Sequence, residues 1–165
     1  MIDSIRYVLS AVGPAWVSLW TWTIADYEVD AVGGLLAQGG ILGARLIIDY
    51  SAGRRLPGMV NEWRDRYGED SVRIVRNHAK IARVWNSDFR VLLRGSMNLN
   101  FNPRFENLDV TEGGEDFELV REIEDRIPVL PREYGHQEVF DASGLGRAFD
   151  LKTLEAFQGV RPWRP

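Results

Sequence analysis

The chain has 165 residues, 45% of them hydrophobic and 27% charged, which suits one globular domain that buries roughly 70% of its unfolded surface and speaks against disorder or a repeat array. The absence of cysteine excludes disulfides, thiolate nucleophiles, Cys-based zinc sites and Fe–S clusters, and two histidines, His78 and His136, are too few for a His-rich metal centre. Only Lys80 and Lys152 of the 20 basic residues are lysine, so catalytic roles that need His or Lys have few candidates, and no cofactor or metal is expected.

The net charge of −4 hides an uneven distribution. Residues 54 to 94 hold ten cations against five acids, a net +5, whereas residues 105 to 126 hold nine acids against Arg121 and Arg126, a net −7. Two solvated faces of opposite sign or a local anion-binding patch would each account for this.

In chain order, Ile2, Ile5, Val8, Leu9 and Val12 are spaced for an amphipathic helix that Gly13-Pro14 closes. Trp16 to Ile24, rich in Trp, Val, Thr and Ile, reads as a strand. The apolar stretch Ala11 to Ala25 is too short for a membrane span, which needs about 20 apolar residues. It also lacks a basic leader, so a cytoplasmic protein with no membrane partner is expected. Asp26 is a candidate N-cap for a helix from Tyr27 to Gln38, stopped by Gly39-Gly40. Ala44 to Tyr50, centred on Leu46-Ile47-Ile48, reads as a strand covered on both faces.

Pro57 suits the first turn of a helix carrying Val60, Trp63 and Tyr67, with Gly68 behind it. Ser71 to Arg76 reads as a strand. Two more follow at Ala79 to Trp85 and Phe89 to Leu93, joined by the turn-forming Asn86-Ser87-Asp88. Asp116 to Arg126 reads as a helix. The alternation predicts an α/β fold with a mixed, largely parallel sheet flanked by helices on both faces. The domain is expected over 1–127. Residues 128–165, rich in Pro and Gly with one short helical candidate near Leu151 to Phe157, read as an extension packed on the domain or on a partner.

The chemistry concentrates in Asn77-His78-Ala79-Lys80 at the start of the hairpin and Gly95-Ser96-Met97-Asn98 at its exit. His78 and Lys80 stand two apart on extended backbone and so share a face. The antiparallel return brings Ser96 and Asn98 back beside them. An imidazole, an ammonium, a hydroxyl and an amide converging on one point make a phosphate site with a nucleophile built in.

At these residues the sequence resembles the phospholipase D superfamily, whose motif runs His-x-Lys, four residues, Asp, six residues, Gly-Ser-x-Asn. His78, Lys80, Gly95, Ser96 and Asn98 match it. The superfamily also places an acid downstream, and Glu106 in Phe105-Glu106-Asn107-Leu108 fits that position. The resemblance implies that Glu106 hydrogen-bonds the imidazole and supports its charge. One departure concerns the motif Asp: counting forward from Lys80 reaches Trp85, and counting back from Gly95 reaches Asp88, so the hairpin is three residues longer than usual. Asp88 either fills the superfamily position or serves the turn.

The resemblance implies the superfamily's fold and a metal-free phosphodiesterase that works through a covalent phosphohistidine. His78 attacks phosphorus, and Lys80 and Asn98 neutralise its oxygens. Gly95, Ser96 and Arg94 are expected to bind substrate. A second histidine must protonate the leaving oxygen, and His136 has no matching neighbours. A homodimer sharing one composite site is therefore expected. The basic segment around the site favours nucleic acid, DNA ahead of RNA, with Trp63, Trp85 or Phe89 as candidates to stack on bases. The competing readings are a phosphate- or nucleic-acid-binding or assembly module of the same fold that no longer cleaves, and a phospholipid phosphodiesterase.

Overall fold

The computed structural model describes residues 1–99, 106–135 and 138–139. Helix α1 (Ile2–Val12) buries Ile2, Ile5, Val8 and Leu9 as one stripe, and Gly13, at φ 79°, ends it. Strand β1 (Ala15–Thr21) leads into α2 (Asp26–Ala37), where Ala25 is the N-cap and Asp26 is the first helical residue. Strand β2 (Ile41–Asp49) starts earlier than its apolar centre suggests. A short helix, α3 (Tyr50–Arg55), follows at once, capped by the Asp49 carboxylate accepting from Ser51 N at 2.8 Å. Pro57 opens α4 (Pro57–Tyr67), as its fixed φ allows. The remaining elements are β3 (Val72–Val75), β4 (Lys80–Trp85), β5 (Arg90–Gly95), β6 (Leu108–Glu112) and α5 (Glu115–Arg126).

The six strands form one sheet in the order β3-β2-β1-β4-β5-β6. β1 pairs parallel with β2, and β2 with β3; the other three pairings are antiparallel. The sheet is thus mixed, with less parallel pairing than expected. The β4–β5 hairpin docks beside β1 without a helical crossover, so β4 runs against β1, and β6 continues the meander.

Alternate side chains of each strand reach opposite faces. Leu46 and Ile48 join the main core with α1, α2 and α4, whereas Ile47 packs with Val75 and Ile127 on the other side. All three are at most 1% exposed, so β2 is covered on both faces. Each such side chain stabilises the fold by about 1.5–3 kcal/mol relative to an exposed one. α5 covers the second face. Its fully buried Glu124 accepts from Ser18 Oγ at 2.6 Å, from Trp20 Nε1 at 2.7 Å and from Arg83 Nη2 at 2.5 Å.

Described residues after α5 pack on the sheet and its helices. Leu130 and Val139 belong to the main core, and the Leu130 carbonyl accepts from the buried Arg64 at 3.0 Å. Tyr134 packs edge-on against Tyr50. His136 and the helix expected near Leu151 to Phe157 lie outside the described residues.

Candidate active site

The site lies at the open end of the β4–β5 hairpin, where Lys80 is paired with Gly95. Asn77 builds the approach to it. Its buried side chain donates to the Thr21 carbonyl at 3.1 Å and to the Ala79 carbonyl at 3.3 Å, and accepts from Ala79 N at 2.8 Å. Its own N–H donates to Asp49 Oδ2 at 2.9 Å. The backbone on both sides of His78 is therefore tied to the ends of β1 and β2, while the imidazole stands exposed.

Lys80 is buried and folds back onto its neighbour. Its Nζ donates to the His78 carbonyl at 2.6 Å and lies 3.1 Å from Nδ1 and 3.3 Å from Nε2 of the same residue. Burial lowers the Lys80 pKa from the ordinary lysine value, and the negative charge of Glu106 opposes the shift. Near-equal distances to the two ring nitrogens set the ammonium against the face of the imidazole, off the in-plane lone pairs.

Across the hairpin, Ser96 Oγ donates to Glu106 Oε2 and accepts from Asn107 N at 3.1 Å. The carboxylate of Glu106 is thus held by Ser96 and acts electrostatically on Lys80. Asn98 Oδ1 accepts from the Trp22 backbone at 3.3 Å, and Leu99 N donates to Thr21 Oγ1 at 3.1 Å. These bonds sew the exit of β5 to the end of β1. Gly95 has a structural reason to be glycine, because a Cβ there would stand 2.5 Å from the Asn107 carbonyl oxygen.

One expected placement is corrected. Arg94, expected beside the phosphate, projects from the sheet face that carries α5 and pairs with Asp109 at 2.7 Å and Asp116 at 2.5 Å. Strand alternation is the reason: Gly95 shares a face with Lys80, and Arg94 takes the other. Asp88 belongs to the turn at the opposite end of the hairpin, about 17 Å along the strand from Lys80. That turn is held by Asn86, whose Oδ1 accepts from Asp88 N at 3.0 Å and Phe89 N at 2.9 Å, and whose Nδ2 donates to the Val12 carbonyl at 2.9 Å.

The basic segment does not surround the site as a whole. Arg83, Arg90 and Arg94 are paired with acids of the 105–126 segment, and Arg66 with Asp30 and Glu62. The acidic segment thus neutralises one face of the sheet. Arg54, Arg55 and Arg76 lie on the side of His78. Trp63 is fully buried, Trp85 packs between Arg83 and Phe117, and Phe89 sits at the turn, so none of the three faces the imidazole.

Trp22 does, with its ring 5.9 Å from that of His78, and it escaped sequence reasoning because it reads as one more residue of the first strand. β1 ends at Thr21, which turns Trp22 out of the sheet. A cleft of about 490 Å³ runs beside these rings, lined by Trp22, Asp49, Tyr50, Arg76, Asn77 and His78, with Ser51 at its edge. Among the described residues no three His, Asp or Glu side chains stand close enough to hold a metal ion, and no helix is long and apolar enough to cross a membrane.

No family model matches the chain, and none of the curated proteins does. Among solved structures the chain is similar to NucT from Helicobacter pylori, with a TM-score of 0.55 and 14% identity over 75% of this chain and 84% of that one. It also aligns with a polyphosphate kinase from Porphyromonas gingivalis, at a TM-score of 0.48 and 16% identity, over 82% of this chain and 26% of the kinase. With the mixed sheet, its helices on both faces and the His-x-Lys and Gly-Ser-x-Asn segments meeting at the open end of one hairpin, the chain has the phospholipase D-like fold.

Proposed function

We propose that the protein is a phosphodiesterase that cleaves nucleic acid through a covalent phosphohistidine on His78, in a site completed by a second copy of the chain. The observation that carries this reading is the exposed imidazole of His78 held against the buried ammonium of Lys80, opposite the Ser96–Glu106 pair. The resemblance of the motif and the phospholipase D-like fold support it.

In this reading a His78 ring nitrogen attacks phosphorus and forms a P–N bond as the P–O bond to the leaving group breaks. Lys80 and Asn98 neutralise the non-bridging oxygens, and Glu106, held by Ser96, supports the positive charge that gathers around His78 and Lys80. The leaving oxygen takes its proton from the second copy's His78. That imidazole then accepts a proton from water, whose oxygen attacks phosphorus and breaks the P–N bond. Both histidines return to their starting state. The two must lie on opposite sides of one phosphorus, which is why a two-fold axis through the site suits the chemistry.

The test is incubation with single- and double-stranded DNA in EDTA. Cleavage that persists in EDTA and disappears in His78→Ala is expected, together with a dimeric mass in solution. A protein that binds DNA and cleaves neither form between about pH 5 and 8 is instead a binding module of the same fold, and a protein that stays monomeric contradicts the shared site.

A further inference from the structure

We infer that the cleft between Trp22 and Tyr50 is a seat for one unpaired base, with Trp22 as its stacking platform, so that a single strand is read at the nucleotide next to the phosphate on His78. This rests on the phosphodiesterase reading for the place of the phosphate, but the cleft stands on its own geometry.

Trp22 is half-buried and its ring is tilted 47° to the imidazole at 5.9 Å. A base lying on the indole would therefore set its own backbone phosphate within reach of His78. The guanidinium of Arg55 stands 5.4 Å from the Trp22 ring and that of Arg54 stands 5.6 Å from the Tyr50 ring. Both arginines are exposed and carried on α3, where Arg55 Nε donates to the Ser51 carbonyl at 3.1 Å and Arg54 Nη1 to the Tyr50 hydroxyl at 3.4 Å, so a base that enters takes the place of a guanidinium on its ring and leaves the cation at the edge of the cleft. Aromatic faces set among arginines are how sequence-tolerant sites hold single strands: rings take bases, and cations track the backbone.

The charge of the cleft agrees. Among the described residues that line it the one carboxylate, Asp49, accepts from Ser51 through Oδ1 and from Asn77 N through Oδ2, Arg76 lines the cleft, and Arg54 and Arg55 stand over the Tyr50 and Trp22 rings at its edge. The volume of about 490 Å³ lies in the range of small-ligand pockets and admits one base with part of its sugar. A base paired in a duplex is stacked and cannot enter it. Tyr50 is fixed edge-on against Tyr134 at 6.2 Å, which gives the far wall a settled orientation.

The test is fluorescence anisotropy with the full chain carrying His78→Asn, which removes the nucleophile so that no strand is cut, and a short labelled single strand, in two versions: intact, and with its nucleobases removed throughout. Stacking of one base on an aromatic side chain predicts intact strand binding about 5- to 100-fold tighter than the abasic one. Trp22→Ala is expected to bring the two affinities together and Trp22→Phe to restore most of the gap. Both keep the backbone bond to Asn98. Equal affinities with Trp22 in place, or a gap that survives in folded Trp22→Ala, would overturn the inference. Because binding is read without cleavage, a gap here together with no cutting by the unsubstituted protein loses the phosphodiesterase reading and keeps the base seat.

Discussion

Replacing Glu124 by Gln tests how α5 is held to the sheet. The carboxylate is wholly buried and Arg83, its partner at 2.5 Å, is 2% exposed, so the substitution leaves a guanidinium in the interior without its counter-charge. Breaking a buried pair from one side costs about 3–5 kcal/mol. Arg45 at 3.6 Å from the same carboxylate adds to the stranded charge, whereas the rings of Trp85 at 4.5 Å and Phe117 at 5.0 Å from the Arg83 guanidinium are the same in both proteins and drop out of the difference. The amide oxygen of Gln can still accept from Ser18 and Trp20. A net loss of about 3 kcal/mol follows, measurable as a lower urea midpoint or as a melting temperature reduced by roughly 6–12 °C. The double variant Glu124→Gln/Arg83→Met should recover most of the loss, because neither charge is then left alone. Salt should hardly change these differences, unlike those at the exposed Arg121–Glu118 pair. A cost below about 1 kcal/mol, or a double variant no better than the single, would refute the claim that this pair is buried and coupled.

Asn86→Ala should lower stability by about 1.5–3 kcal/mol in urea unfolding, since it removes the acceptor of two turn amides and the tie to Val12, while Asp88→Ala should stay within about 0.5 kcal/mol. Equal effects would show that the turn does depend on the acid. Gly95→Ala drives a Cβ against the Asn107 carbonyl and should cost about 1–3 kcal/mol, while displacing Glu106 and reducing any cleavage activity; unchanged stability would show that the two segments do not meet there. Glu28 is buried with Oε2 unpartnered, and burial pushes its carboxyl above the usual glutamate range, against the lowering pull of the Tyr27 hydroxyl and the N-terminal ammonium. A raised folded value means that the folded chain holds this proton more tightly than the unfolded one, so the group favours folding at low pH and loses that advantage as the carboxyl ionises. Glu28→Gln should therefore unfold at higher urea than the unsubstituted protein at pH 7, with the difference closing below about pH 4. A difference of the opposite sign at pH 7 would mean that the charge of Glu28 is stabilising.

Much of this fold was legible because the signals are local. The stripe of Ile2, Ile5, Val8 and Leu9, the apolar run Leu46-Ile47-Ile48 and Pro57 at a first turn each dictate structure within one or two turns of chain. α3 was not legible. Six residues containing Gly53 and two arginines have weak helical preference, and the helix owes its place to the Asp49 cap and to burial of Ala52 and Gly53 against neighbours distant in sequence. The direction of the sheet depends on where the hairpin docks, which no local pattern encodes. At the site, His78, Lys80 and Ser96 stand out by their spacing, and Glu106 only through the resemblance to the phospholipase D superfamily. The partners of Arg94 and the exposure of Trp22 follow from which face a residue takes once β5 and β1 are in register, and that is settled by packing.

The extended hairpin also gives an experimental handle. Its turn carries Ser87, exposed and roughly 17 Å or more from the Lys80 end, and the two strands between them are pinned by their pairing from Lys80–Gly95 to Trp85–Arg90. In a chain with no native thiol, Ser87→Cys would create one unique attachment point for a dye or a spin label. A probe there would stand in solvent, leave the imidazole and its neighbours undisturbed, and report directly whether two copies of the molecule associate and how far apart their turns lie.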